Sequence, residues 1–407
     1  MSPALAGYAV LVRRVGVLYT ILLLLVRLPI AMTIFGTVTF VTLQRGSVAD
    51  AGLTSAALAV ATAIAQPLHG RWTQHAGQRL PMLLVAPVCA GALLALVAAT
   101  RADAPLWVLL VIAAVVGATN LPVGGLSRVR WSAVTRSIEE ARTATSLESV
   151  AEELAFVMGP AFVGILAATV SPAAPLLVNA GLVIVLVPLF ALHPLAPEAA
   201  GGAAPGEDSS MRRVLRSVWG PVLGMFFVGT FFGATQTTVA ATAVVLGSPG
   251  AGGLVYAVMG LGSAGAALVV VALPAHITLR FRVAVSALGM GLFTGLAALT
   301  VTGQAPGALW ALAGLMFVSG AFVGVSLVSL FAIVGDDAPV SGVAVAMTAA
   351  SAANVLGVAF GASLGGRVAE SVWVGGGYLV SAAACALLAV LALLSHGAAG
   401  RRARTGG

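Results

Sequence analysis

The chain has 407 residues, of which 60% are hydrophobic and only 8% charged, and its mean hydropathy is +1.07. A soluble domain carries about 25% charged residues, so this supply cannot clothe a water-facing surface, and a soluble enzyme is excluded. The net charge of +7 is all arginine, with no lysine, and the arginines sit in short stretches between apolar runs; that pattern belongs to a multi-pass membrane protein, not to a nucleic-acid-binding surface.

Breaks at charged or Gly/Pro-rich stretches divide the chain into twelve runs of spanning length. The first six are 15–43, 51–68, 80–99, 105–127, 146–170 and 173–193. The second six are 218–246, 251–273, 282–302, 307–334, 339–366 and 371–395. Arg13-Arg14 followed by Val15–Val26 has the form of a signal peptide, but no small-residue cleavage site follows and the apolar run continues to Leu43; it reads as an uncleaved first span. Between the two sixes lies a polar segment rich in Gly, Ala and Pro, APEAAGGAAPGEDSS, which reads as a flexible linker. The expected organisation is therefore residues 1–193 as one six-helix bundle, 194–217 as a cytoplasmic linker, and 218–407 as a second bundle with a short tail.

Arginine bias sets the expected orientation. With both termini cytoplasmic, sixteen arginines fall on the inner side and only Arg45, Arg101 and Arg367 on the outer side. The halves are faintly repeated. Ala51-Gly52-Leu53 enters the second run and Gly252-Gly253-Leu254 the eighth; Glu139-Glu140 precedes the fifth and Asp336-Asp337 the eleventh. Such a parallel repeat is common among secondary transporters. The expected fold class is all-α, with twelve transmembrane helices in two pseudo-symmetric six-helix bundles.

The chemistry is concentrated in the fifth run and its upstream edge, SLESVAEELAFVMGPAFVG, Ser146–Gly164. Glu148, Glu152 and Glu153 stand at its mouth, and Gly159, Pro160 and Gly164 lie inside it, where small residues and proline allow close helix approach. Arg27 lies between two apolar pieces, each too short to span by itself, so it is expected within the bilayer. A central charge costs about 2.5–3.5 kcal/mol on insertion scales, which favours pairing inside the bundle. The expected partner is Glu152 or Glu153, with a pair that responds to protonation. The alternative places the three glutamates at the interface and lets Arg27 snorkel.

The loop Gly70-Arg71-Trp72-Thr73-Gln74-His75-Ala76-Gly77-Gln78-Arg79 resembles the signature loop of the major facilitator superfamily. Gly70, Gly77 and Arg79 match, while Gln74 stands in place of the family's acid and His75 in place of its base. The resemblance implies a gating loop; with the acid missing, Arg71 and Arg79 are expected to bond the carbonyl ends of neighbouring helices. Gly159-Pro160 with Gly164 resembles the span-5 motif of that superfamily's drug/proton antiporters, with Ile165 where a second closing glycine would stand. The string Glu148 to Pro160, with Arg128-Val129-Arg130-Trp131 upstream, looks like a branch common in actinobacteria. Unlike many proton-coupled exporters of the superfamily, the fourth run, Leu106–Leu126, carries no charge.

The resemblance places spans 1, 4, 7 and 10 around a central cavity. Its expected lining is Thr33, Thr37, Asn120, Thr235, Gln236 and Ser326. Paired cations for an anionic cargo are absent, and Gln236 and Asn120 are few amides for a sugar, so a lipophilic or amphiphilic small molecule fits best. The expected function is proton-coupled export of such a molecule; uptake of a small nutrient, or a non-transporting sensor or scaffold, are the alternatives. Expected partners are the cargo, protons and the lipid bilayer, in a bacterial inner membrane, with the protein a monomer. There is no nucleotide loop, metal-ligand spacing or cofactor motif, and neither Cys89 nor Cys385 has a metal-ligand neighbour.

Overall fold

The computed structural model describes residues 10–196, 211–270, 277–302, 307–339 and 343–405. The helices are α1 (Val17–Leu25), α2 (Leu28–Arg45), α3 (Val48–Ala76), α4 (Arg79–Arg101), α5 (Leu106–Ala118), α6 (Val123–Val134), α7 (Ile138–Thr169) and α8 (Ala174–Leu192) in the first half. The second half has α9 (Met211–Val245), α10 (Ala251–Val270), α11 (Leu279–Ala297), α12 (Leu299–Thr302), α13 (Ala308–Asp337), α14 (Val343–Ser371) and α15 (Gly376–Thr405). Among the described residues, ten stretches are long and apolar enough to cross a membrane, and two shorter apolar ones, Leu154–Thr169 and Ala251–Ala266, fall at the expected fifth and eighth spans. Spans 1, 4 and 9 are each made of two helices. Loops alternate between a basic face, which carries Arg14, Arg136 and Arg280, and an opposite face, which carries Arg45, Asp103 and Glu370.

The helices run past the apolar runs. Span 5 begins at Ile138 and span 7 at Met211, inside the segment expected to be linker. Hydropathy marks where lipid is, whereas the backbone ladder continues as long as water or a cap satisfies its ends. Ser137 caps span 5 through its Oγ, which accepts from the Glu140 amide at 3.1 Å. Exposed tryptophans ring both ends, Trp107 and Trp310 on the opposite face and Trp72 and Trp219 towards the basic one.

Close approach between helices follows the small residues. A β-carbon at Gly159 would lie 2.6 Å from Ala31 Cβ of span 1, and one at Gly164 would lie 2.5 Å from the Gly250 carbonyl of span 8. Span 11 meets span 7 in the same way, Gly357 and Gly361 resting on the Phe226 and Thr230 carbonyls. The repeat is visible here: Gly52 of span 2 rests on Ala362 of span 11, and Gly253 of span 8 on Pro160 of span 5. These contacts join the two halves. An apolar cluster of Met32, Phe35, Val38, Val41, Ala51, Val163 and Ala240 lies across the same junction, with Tyr256 packed on Phe35 at 5.4 Å between ring centroids.

Candidate functional site

Pro29 dictates the break in span 1. A proline in the second helical position of α2 has no amide to donate and its ring crowds the carbonyl four residues earlier, so the ladder is interrupted after Leu25. The Arg27 amide reaches Leu24 O at 3.2 Å, a tighter i−3 bond, which leaves Leu23 O free. The Arg27 guanidinium turns back and fills it, Nη1 donating to Leu23 O at 2.6 Å. The break thus supplies both the room for a buried arginine and its first acceptor.

The second acceptor is Glu148. Arg27 Nη2 forms an ion pair with Glu148 Oε2, with the two side chains only 4% and 0% exposed. Ser127 Oγ donates to Glu148 Oε1, and Trp131 Nε1 donates to the same oxygen at 2.6 Å. Three donors converge on one carboxylate, and Ser127 is the only one of them that can also accept. Arg27 Nε has no partner. The expectation that Arg27 pairs with Glu152 or Glu153 is therefore corrected: the carboxylate one turn nearer the basic face takes it. Helical spacing could not choose between them, because Glu148 and Glu152 share one face of span 5.

Glu152 is 46% exposed and pairs with Arg128 at 3.3 Å. It still borders the same place: Arg27, Gly124, Glu152 and Phe156 line one cleft between spans 1, 4 and 5, with Ile30, Ala31 and Ala155 as its apolar walls. A β-carbon at Gly124 would stand 3.9 Å from Arg27 Nη2 and 4.0 Å from Glu152 Oε2, so this glycine leaves an open gap between the two charges. The Glu153 side chain lies outside the described residues.

Span 4 carries charge after all. Pro122 breaks it between Ala118 and Val123, and the pass continues through α6, bringing Arg128 and Arg130 inside a stretch that sequence reading ended at residue 127. Span 2 reaches the carbonyls at the break: His69 Nε2 bonds Ala118 O at 2.7 Å, and Thr62 Oγ1 donates at 3.1 Å to Gly117 O, which also accepts from the Asn120 amide at 3.1 Å. Arg130 is fully buried. Its Nε donates to Gln78 Oε1 at 2.8 Å, its Nη1 to Phe190 O at 2.7 Å, and its guanidinium carbon lies 3.6 Å over the Phe190 ring. Gln78 Nε2 in turn donates to Leu126 O at 3.0 Å. Tyr19 bridges the two layers, stacked on Phe190 at 6.0 Å and edge-on to Trp131 at 5.9 Å.

This reassigns the gating loop. Gly70 lies within the helix of span 2, and Gly77 makes the turn at φ +73°. Arg71 and Arg79 are exposed, and neither has a hydrogen bond to a neighbouring helix end among the described residues. Buried Arg130 and Gln78 make those carbonyl contacts instead. From the sequence, Ser127 is unmarked, and Arg130, Trp131 and Gln78 stand only within quoted motifs with no role of their own. The available signal was the i, i+4 spacing of Ser127 and Trp131 next to a proline break.

The expected cavity hydroxyls turn inward. Thr33 donates to Pro29 O at 2.6 Å and accepts from Asn179 Nδ2 of span 6 at 2.9 Å; Thr37 donates to Thr33 O at 2.8 Å. Thr235 donates to Ser381 of span 12 at 2.9 Å. Thr33, Thr37 and Thr235 are thus committed within their own halves. Ser326 is buried with its Oγ unpaired, and Asn120 and Gln236 are nearly buried. At the basic rim, Glu140 accepts from Arg14 Nη1 at 2.7 Å and Nη2 at 2.9 Å, and from the Arg136 amide at 2.7 Å. The Arg14 guanidinium first, and then that amide, hold the Glu140 carboxyl below the ordinary carboxylate range. Arg280 and Asp337, at 3.1 Å, form the matching pair in the second half.

Known folds put this arrangement in context. The chain is similar to the nucleoside transporter NupG, at 15% identity and a TM-score of 0.66, over 92% of this chain and 97% of that one. It is similar to a bacterial homologue of the iron transporter ferroportin in an inward-facing state, at 15% identity and a TM-score of 0.71, over 93% and 98% of the two chains. A POT family transporter in complex with a thioalcohol-conjugated peptide is similar at 11% identity and a TM-score of 0.68, over 92% and 95%. Comparison with curated proteins gives no match. The model of the Major Facilitator Superfamily matches residues 19–309. The chain is a multi-pass membrane transporter, not an enzyme, and it belongs to the Major Facilitator Superfamily.

Proposed function

We propose that the protein is a proton-coupled exporter of a hydrophobic or amphiphilic small molecule, working by alternating access in a bacterial inner membrane with both termini cytoplasmic. The observation that carries the reading is the charge quartet on spans 1, 4 and 5: buried Arg27 and Glu148, and half-exposed Arg128 and Glu152. In this reading Glu152, half-exposed at the cleft and 3.3 Å from Arg128, is the carboxylate that exchanges the proton. The gap at Gly124 then lets Arg27 change carboxylate as the halves rock. Cargo binding and protonation compete through the same charges, which is what antiport requires.

Two features support a lipophilic cargo. The cleft walls beside the charges are apolar, and several hydroxyls that would greet a polar cargo are engaged inside their halves. The cargoes named for the structural neighbours, nucleosides, iron and a peptide conjugate, are too diverse to guide the choice. Export follows the antiporter-like motif of span 5, and the sixteen-to-three arginine bias supports the orientation.

The test is proton movement. Purified protein in liposomes with a pH-sensitive dye is given an imposed gradient and a panel of lipophilic cations and neutral antibiotics. Compound-dependent proton flux that vanishes in Glu152→Gln supports the reading. Transport of a compound with no accompanying proton flux, or flux unchanged in Glu152→Gln, overturns it.

A further inference from the structure

The two halves meet at the face opposite the basic one, and a carboxylate joins them there. Glu370 stands in the last turn of span 11. That is an unfavourable place for a negative charge on its own helix, whose C-terminal end carries partial negative charge. Its side chain crosses to the other half and rests on the start of span 2. Glu370 Oε2 accepts from the Ala49 amide at 2.5 Å and from Ser47 Oγ at 2.9 Å. Ala49 lies in the first turn of span 2, where amides have no partner within the helix, and Ser47 is its N-cap. The carboxylate thus answers an unfilled helix start with negative charge, in charge-assisted bonds stronger than neutral ones. Just beneath, Gly52 rests on Ala362, and a β-carbon at Gly366 would lie 2.7 Å from the Val48 carbonyl. Backbones this close leave no passage between spans 2 and 11.

We infer that Glu370 is a latch that holds this face closed, and that its protonation releases the latch. The inference rests on the alternating-access reading and on the orientation given above, not on the cargo. It supplies something the cleft quartet does not: protons arriving at the outer face favour opening towards that face. The inner signature loop, with Gln74 in place of the acid, has no carboxylate to do the corresponding work. Four other charged groups stand near this rim besides the exposed Arg101 at the end of span 3. Arg45 is engaged by Asp50 at 2.8 Å and Asp103 at 3.2 Å, and Arg367 is exposed one turn before Glu370. Spans 7 and 12 bring no charged side chain to this end, and Tyr378 of span 12 donates to Thr242 at 3.0 Å. Ionised Glu370 accepts from both donors. Protonation removes the charge that strengthens those bonds, so closure is stable with the carboxylate ionised and weakens as the pH at that face falls.

The experiment reads access to the sealed junction. Ala51, fully buried in the seal, is replaced by cysteine in the full-length protein in liposomes, on a Cys89→Ala, Cys385→Ala background. A membrane-impermeant maleimide is added at the outer face. Loss of the latch is expected to raise the labelling rate about tenfold, the size set by hydrogen bonds to a charged group. Glu370→Gln should show that rise. So should Ser47→Asp, which keeps a capping oxygen but sets a carboxylate against Glu370. Acid slows the thiol reaction itself, because the thiolate is the nucleophile, so each rate is read against Glu370→Gln at the same pH; the parent should lag that variant near neutrality and approach it as the outer face is acidified. Labelling at the parent rate in Glu370→Gln and Ser47→Asp overturns the inference, as does an equal rise in Arg367→Gln, which would mean general loosening. Loss of proton flux with these labelling results intact would refute the exporter reading and leave the latch standing.

Discussion

Replacing Glu148 by glutamine changes one atom and removes one charge. In the native site the carboxylate faces the Arg27 guanidinium, Ser127 Oγ and Trp131 Nε1. An amide cannot serve all three. With its oxygen towards Arg27, its NH2 meets the indole, which can only donate; with the amide reversed, NH2 meets guanidinium. Either way a cation only 4% exposed loses its counter-charge. Breaking a buried pair by removing one member costs about 3–5 kcal/mol. Arg27→Met is expected to cost a similar amount, because it strands the carboxylate and frees the Leu23 carbonyl. The double variant Arg27→Met, Glu148→Met leaves no buried charge and should cost less than either single change. Equilibrium unfolding of the purified protein in detergent, titrated with denaturant, measures all three. If the single variants lie within about 0.5 kcal/mol of the parent, as surface changes do, or if the double equals the sum of the singles, the pair is not the buried unit described here.

Gln78→Leu removes the acceptor of Arg130 Nε, leaves the Leu126 carbonyl without its donor, and is expected to destabilise by about 1–3 kcal/mol in the same unfolding assay. Gly229→Ala places a β-carbon against the Asn354 carbonyl of span 11; backbone cannot yield there as a side chain would, so overpacking of about 1–3 kcal/mol follows, read as a lowered melting temperature. Glu140 is held below the ordinary carboxylate range, so its contribution is present at neutral pH and is lost as pH falls through that lowered value. The melting-temperature difference between the parent and Glu140→Gln should therefore be constant near neutrality and close only below the usual glutamate range of about 4.3.

The passes were legible because lipid demands apolar side chains over a set length, and the runs around residues 80–99 and 173–193 match helices Arg79–Arg101 and Ala174–Leu192 closely. The helix starts at Ile138 and Met211 were not, since nothing apolar marks a helix that extends into water. Arg27 could be recognised as a buried charge from its place in the first run. Its partner could not: Glu148 and Glu152 share a helix face, and the choice depends on where the Pro29 break sets the guanidinium. Arg130 was hidden because span 4 looks finished before it. Only the Pro122 break and the continuing helix bring it under Phe190 and against Gln78. Thr33 and Thr235 show the reverse limit, because composition identifies hydroxyls in a span but not the neighbour each one faces.

If the charge quartet couples cargo to protons, cargo binding must itself release protons. Weakly buffered, detergent-purified protein is mixed with a compound shown to be transported, and the proton count is followed by dye over a range of pH. The expected release depends on pH, is abolished in Glu152→Gln, and is altered in Gly124→Val, where a branched side chain fills the gap between Arg27 and Glu152. Binding with no proton release at any pH, or release in both variants equal to that of the parent, would contradict this coupling.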